Sequence, residues 1–116
     1  MKVVNRIKAN EDFALAIKTG RTIRADSFLL HVKKNDFPHT RVGISVSKKL
    51  GDAVTRNKIK RQIRAMCDDL IEYDKTSLDV AIIVRRSYLD KTYNENYNVL
   101  KYFLSIALQE YKNEKK

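Results

Sequence analysis

The sequence contains few of the residues that cross-link or sharply bend a chain. Its 116 residues include one cysteine, one proline, three glycines and no tryptophan. The lone Cys67 excludes an internal disulfide, so an apolar core must hold the fold together. No apolar run approaches the ~20 residues that span a bilayer, and the first residues lack the apolar stretch of a secretory signal. We therefore expect one cytoplasmic domain over residues 1–116, with flexible ends at about 1–8 and 112–116.

Acidic residues are scarce relative to basic ones. There are 14 Asp and Glu against 24 Lys and Arg, which gives a formal net charge of +10. The excess is concentrated, because eight cationic side chains between Arg41 and Arg64 accompany a single acidic residue, Asp52. Such a charge indicates a polyanionic partner, either a nucleic acid or an anionic membrane. Because the apolar helix faces are required for the core, a membrane surface is the weaker hypothesis.

The spacing of apolar residues predicts the element order α-β-β-β-α-β-α and the α+β class. A short helix is expected at residues 10–20, and strands are expected at residues 21–24, 28–33, 41–47 and 79–84. The strands 28–33 and 41–47 are expected to pair as an antiparallel hairpin. The strand 79–84 is apolar on both faces, which is typical of a central strand. Thr92 and Glu95 have the spacing of a capping box, which predicts the start of the last helix.

The long helix expected at residues 52–73 has two distinct sides. At ~100° per residue, its apolar side contains Ile59, Ile63, Met66, Cys67, Leu70 and Ile71. The adjoining flank carries Asn57, Lys60, Arg61 and Arg64. Arginine can donate bidentate hydrogen bonds to phosphates, and Lys48 and Lys49 extend the positive surface. The pattern favours a nucleic-acid-binding flank over an ordinary solvated helix face.

Residues 41–64 also carry a recognisable signature, with the lead V-S-K-K-x-G-x-A-V and the core R-N-x-x-K-R-x-x-R. This signature resembles that of the bacterial ribonuclease P protein component family, and the similarity extends from about Asn5 to Leu108. The resemblance implies a sandwich like the second domain of ribosomal protein S5. It also implies a left-handed β-α-β crossover through the basic helix, against the general right-handed preference.

The resemblance implies an endoribonuclease subunit that assists a catalytic RNA in removing the 5′ leader of precursor tRNA. The reaction would use Mg²⁺ held mainly by the RNA, and no catalytic residue or metal ligand is assigned to this chain. The implied partners are the catalytic RNA and precursor tRNA, and no obligate protein partner is evident. The positions matched to catalytic-RNA contacts are Lys48, Lys49, Arg56, Asn57, Lys58, Lys60, Arg61 and Arg64.

A separate cleft between the first helix and the sheet is implied to bind the single-stranded leader. The matched positions are Phe13, Ile17 and His31. Ile17 stands where the family is often aromatic, and His31 stands where the family can have tyrosine. The cleft is therefore expected to bind the leader more weakly or with a different selectivity. From helical spacing alone, a role for Phe13 in the core is favoured, and only the resemblance makes base stacking an equal alternative.

Other hypotheses use the same residues differently. A ribosomal RNA-binding or ribosome-assembly protein is the main alternative, because the same helix could bind ribosomal RNA. A helix-turn-helix protein is disfavoured by the strand pattern that precedes the basic helix. A metal nuclease would need a carboxylate set; Asp68 and Glu72 lie one helical turn apart, but an Arg64–Asp68 ion pair is the favoured interpretation.

Overall fold

A computed structural model describes residues 1–114, with side chains described through Tyr111. The helices are α1 (Asn10–Thr19), α2 (Ala53–Leu70) and α3 (Tyr93–Glu114), and the strands are β1 (Arg21–Arg24), β2 (Phe28–Lys34), β3 (Arg41–Ser45) and β4 (Leu78–Val84). Short 3-10 turns occur at Val3–Asn5, Lys48–Leu50, Tyr73–Lys75 and Arg86–Asp90. The predicted element order and the α+β class are confirmed. The tail predicted to be flexible, residues 112–116, lies outside the described side chains.

The four strands form one sheet in the order β1-β2-β4-β3. β2 pairs antiparallel with both β1 and β4, whereas β3 pairs parallel with β4. The predicted hairpin between β2 and β3 is therefore wrong, because β4 lies between them. β4 takes this position since its side chains are almost all buried on both faces, and only an interior strand can bury both. Its predicted central place is confirmed.

The two faces of the sheet are covered by different helices. Phe28, Leu30 and Val32 of β2 share one buried cluster with side chains of α2 and α3, which forms the main core. On β3, Val42 belongs to this core, and the next residue, Gly43, faces the opposite way and lies against Phe13 of α1. Because neighbouring side chains of a strand alternate between faces, α1 covers the other side of the sheet.

Both long helices have defined starts, and α2 ends earlier than expected. Asp52 caps α2 by accepting a hydrogen bond from the Thr55 N–H at 2.8 Å. The capping box of α3 is confirmed, since the Thr92 N–H donates to Glu95 Oε1 at 2.9 Å. The predicted extension of α2 to residue 73 is wrong, because Ile71 adopts an extended conformation and is buried in the core.

Residues 1–8 pack against the domain rather than leaving it, which differs from the flexible lead that the sequence predicts. Asn5 is buried, and its side-chain amide donates to the Thr40 carbonyl at 3.1 Å. The Ile7 N–H donates to the Val42 carbonyl at 3.0 Å, so the segment runs along the free edge of β3. Among the described residues, no helix combines the length and apolar character that a bilayer span requires.

Candidate nucleic-acid interface

The chain that leads into α2 turns at one glycine. Gly51 has a φ of +148°, a region that side-chain-bearing residues rarely adopt. A Cβ at this position would also lie 2.9 Å from the Thr55 Cγ2 atom. The turn before it buries Leu50 and exposes Lys48 and Lys49. The backbone therefore presents two lysines next to the first turn of the basic helix.

We call the eight matched positions on this turn and on α2 the basic flank. Five of the side chains are exposed, namely Lys48, Lys49, Asn57, Lys58 and Arg61, and three are half-buried, namely Arg56, Lys60 and Arg64. Ile59 and Ile63 lie between them in the sequence and are buried in the core, which fixes the rotation of the helix. The structure therefore brings the predicted residues together on α2 and the turn before it, with most of the side chains exposed.

The basic flank lacks salt-bridge partners among the described residues, although the Arg56 charge acts on the nearby Asp52 carboxylate. Within the described part of the chain, none of its cations forms a salt bridge, whereas carboxylates elsewhere are paired with other cations. Asp79 pairs with Arg41, Asp26 with Lys91, and Glu110 with Arg21. Asp52, at the start of α2, accepts the hydrogen bond of the Thr55 N–H, which is the main cause of its lowered pKa. The positive charge of the flank is thus left available to a polyanion.

Asp68 and Asp69, which follow the basic flank on α2, both accept hydrogen bonds from other parts of the chain. Asp68 accepts a hydrogen bond from the Met1 amino group at 2.6 Å and another from the Tyr73 hydroxyl at 2.9 Å. Asp69 accepts from the Tyr97 hydroxyl. The predicted Arg64–Asp68 ion pair is therefore wrong, because the fold supplies Asp68 with nearer partners. Among the described residues, no group of three or more His, Cys, Asp or Glu side chains is arranged to hold a metal ion.

A groove runs between α1, the edge of β3 and α2. Its volume is about 270 Å³, and its lining includes Ile7, Lys8, Phe13, Gly43, Ser45 and Lys60. The small residues of β3 make room for the aromatic ring, since a Cβ at Gly43 would lie 2.6 Å from Phe13 Cδ2. Lys60 belongs to the basic flank, so the groove and the flank form one continuous surface. That continuity was not predicted from the sequence.

The other two predicted cleft residues, Ile17 of α1 and His31 of β2, do not line this groove. One row of paired residues crosses the four strands, namely Thr22, His31, Ala81 and Gly43. Because Ala81 lies between them, His31 is two strands, or about 10 Å, from Gly43. His31 is 6% exposed and is not among the groove-lining residues. Ile17 is half-buried one helical turn after Phe13. Of the three residues, the structure places only Phe13 in the groove.

The environment of His31 is apolar and weakly positive. Its Nδ1 lies 3.1 Å from the Thr22 hydroxyl oxygen. Burial lowers the pKa of His31, and the nearby Arg24 charge lowers it further. The imidazole is therefore neutral near pH 7, and it is a poor electrostatic partner for a phosphate.

Ile7 and Lys8 line the groove although the sequence pattern did not predict them there, because their segment was expected to be flexible. The signal that could have found them is the apolar Ile7 just before the first helix, which has no partner within its own segment. Arg41, in contrast, was counted with the basic segment in the sequence but does not contribute free positive charge. It contributes to the positive charge counted between residues 41 and 64, but the structure pairs it with Asp79 and Asp12.

An α+β fold that exposes an uncompensated basic helix flank beside a groove with an aromatic wall defines a small nucleic-acid-binding protein. The ribonuclease P family model matches residues 1–108, and the chain belongs to this family. A ribonuclease P protein component of Mesoplasma florum is 43% identical over 101 residues, which are 86% of this chain and 92% of that protein.

Solved structures agree with this assignment. A mutant of the Staphylococcus aureus RNase P protein with defective mRNA degradation activity matches with a TM-score of 0.81 and 39% identity, covering 90% of this chain and 88% of that chain. The RNase P protein from Thermotoga maritima matches with a TM-score of 0.74 and 26% identity, covering 85% and 94%.

Proposed function

We propose that the chain is the protein subunit of ribonuclease P and assists the removal of the 5′ leader from precursor tRNA. The basic flank binds the catalytic RNA, because its cations lie on one helix and the turn before it, most of them are exposed, and none forms a salt bridge with a described residue. Each Lys or Arg that meets a phosphate releases counterions from the RNA, which favours association. This uncompensated flank is the observation that carries the proposal.

The groove gives the same protein a second RNA contact. Phe13 offers part of an aromatic ring on which an unstacked base can stack, and Lys60 offers a cation for the adjoining phosphate. A single-stranded leader suits this arrangement, since its bases are free to leave the stack. Binding of the leader here would align the precursor with the catalytic RNA.

The chemistry is assigned to the RNA partner. Bound Mg²⁺ supplies activated water and stabilises developing charge on the phosphodiester. In the proposed scheme this chain neutralises phosphates and positions substrate, and its acidic side chains Asp68 and Asp69 serve the fold through Met1, Tyr73 and Tyr97. The site of action would be the cytoplasm.

The resemblance to the second domain of ribosomal protein S5 forms part of the same proposal. β3 and β4 are parallel neighbours joined through α2, which is the β-α-β unit that this fold requires. We propose that the crossover is left-handed, which places the basic flank on the side opposite to that of an ordinary right-handed unit.

The test is cleavage of precursor tRNA by the cognate catalytic RNA at low Mg²⁺, with and without the protein. We expect strong stimulation by the wild-type protein and no cleavage of this substrate by the protein alone. Arg61→Gln should need more protein for the same stimulation, whereas Lys75→Gln should not, because Lys75 is paired with Glu72 outside the flank. Absence of stimulation by a folded, RNA-binding protein would favour the ribosomal-assembly alternative.

A second substrate separates the subunit role from an independent nuclease. One of the similar S. aureus structures is of a mutant with defective mRNA degradation activity. Incubation of this protein with an mRNA, with and without a chelator, therefore belongs in the same assay. Cleavage by protein alone that the chelator abolishes would contradict the assignment of all chemistry to the RNA.

A further inference from the structure

Arg6 lies next to the basic flank although it is far from it in the sequence. A parallel bridge joins Arg6 to Val42, and the following Ile7 N–H donates to the Val42 carbonyl at 3.0 Å. Arg6 Nη2 donates to the Met1 carbonyl at 3.5 Å, and the Met1 amino group donates to Asp68 at 2.6 Å. This chain of contacts places Arg6 over the turn of α2 that contains Arg64 and Asp68.

The two arginines have no carboxylate partner among the described residues. Asp68, the acid one turn after Arg64, is occupied by the Met1 amino group and the Tyr73 hydroxyl. Burial lowers the pKa of Arg64, and repulsion from Arg6 lowers it further, as expected for neighbouring like charges. Arg6 Nε is buried and has no hydrogen-bond partner. The pair thus combines repulsion with an unsatisfied donor.

We propose that Arg6 and Arg64 jointly bind one RNA phosphate. A phosphate between two guanidiniums accepts charge-assisted hydrogen bonds from both and replaces their repulsion with attraction. Reorientation of Arg6 toward the phosphate would also relieve its unsatisfied Nε. The inference rests on the proposed function and deepens it, because it adds the segment before α1 to the RNA-binding surface.

The phosphate could come from the catalytic RNA or from the leader. Arg64 belongs to the basic flank, which favours the catalytic RNA. Lys8, two residues after Arg6, lines the groove with Phe13, which brings the leader within reach of the same segment. Both sources present the same phosphodiester, so separate binding measurements must distinguish them.

The experiment compares Arg6→Gln, Arg64→Gln, the double variant and the control Lys75→Gln. The control removes a cation that is paired with Glu72 outside the interface. Affinity for the cognate catalytic RNA is measured at several salt concentrations, and affinity of the assembled holoenzyme is measured for precursor and mature tRNA. Thermal unfolding of each free protein is followed in parallel.

We expect each single variant to bind its RNA about tenfold more weakly and to show a smaller salt dependence. Because the phosphate is shared, the double variant should lose less than the product of the two single losses. The free Arg6→Gln protein should unfold at the same or a higher temperature than wild type, since repulsion is removed. Weaker binding of the catalytic RNA alone assigns the phosphate to that RNA, and weaker binding of precursor but not mature tRNA assigns it to the leader.

Other outcomes overturn the inference. Unchanged affinity of Arg6→Gln for both RNAs would exclude Arg6 while leaving the proposed function intact, provided that wild type still stimulates cleavage. Fully multiplicative losses in the double variant would assign the two arginines to separate phosphates. A lower unfolding temperature of Arg6→Gln together with unchanged RNA binding would make Arg6 a structural residue. Failure of the wild-type protein to bind the catalytic RNA would overturn both proposals.

Discussion

Arg41 of β3 donates two hydrogen bonds to the carboxylate of Asp79 on β4, at 2.9 Å from Nε and at 2.6 Å from Nη2. The two residues are directly paired in the parallel register. Asn35 also donates to Asp79 at 2.8 Å, and the Arg41 guanidinium lies 4.3 Å from the centroid of the Phe37 ring. Arg41 is therefore part of the protein's own structure, although its sequence position adjoins the basic flank.

Removal of the Asp79 carboxylate should be costly. Asp79→Ala leaves the half-buried Arg41 without its main partner, and breaking a buried ion pair from one side costs about 3 kcal/mol. We expect a loss of this order in the free energy of unfolding, measured by chemical denaturation.

Arg41→Gln should leave the salt dependence of RNA binding unchanged, because Arg41 is paired with Asp79 and is not part of the basic flank. A clear drop in that salt dependence would place Arg41 in the RNA interface.

Removal of one cation from the basic flank should reduce the salt dependence of binding to the catalytic RNA. Arg61 is exposed and has no salt-bridge partner among the described residues, so Arg61→Ala should remove one phosphate contact with little effect on stability. The slope of log affinity for the catalytic RNA against log salt should fall by roughly 0.7–0.9. Lys75→Ala is the matched control and should keep the wild-type slope. Equal slopes for all three proteins would disprove the proposed flank.

Phe13 should contribute to discrimination between precursor and mature tRNA. Base stacking on an aromatic ring is worth about 1–3 kcal/mol, and Phe13→Leu removes the ring while keeping an apolar side chain. We expect the holoenzyme to lose affinity for precursor tRNA by about that amount and to keep its affinity for mature tRNA. Equal losses for both RNAs would instead assign Phe13 to packing of α1.

Gly43 should be intolerant of a side chain. A methyl group there would lie 2.6 Å from Phe13 Cδ2, so either the ring or the strand must move. Overpacking of this kind costs about 1–3 kcal/mol, which we expect for Gly43→Ala in chemical denaturation. The double variant Gly43→Ala/Phe13→Leu should recover part of the loss. If it recovers none, the strain does not come from the ring.

Because His31 is buried, we expect the free energy of unfolding to depend on pH. Burial and Arg24 lower the pKa of His31 below its unfolded value, so the folded protein binds the proton less readily than the unfolded chain. The free energy of unfolding should therefore fall as the pH drops below about 6.5, by at most about 1.4 kcal/mol per pH unit for one proton. His31→Gln should flatten this dependence between pH 7 and pH 5. An unchanged slope would assign the effect to other groups.

Several features of the fold follow from local sequence. The capping box of Thr92 and Glu95 forms as its spacing requires, and the buried Ile59 and Ile63 turn the basic flank of α2 outward. Local signals suffice here because caps and helix faces depend on residues within one or two turns. The same periodicity explains why the residues matched to catalytic-RNA contacts could be grouped on one helix from the sequence.

The sequence is therefore sufficient to specify three features of this protein: the order of its helices and strands, the interior position of β4 and the basic flank. The tertiary structure decides three others. These are the strand order, the pairing of Asp68 with the Met1 amino group, and the placement of Lys60 and Phe13 in one groove. These contacts join residues far apart in the chain, and periodicity within a segment carries no information about which distant segment it meets. Burial of β4 on both faces requires an interior position but leaves its neighbours open. The observed strand order brings the outer edge of β3, α1 and α2 together around the groove.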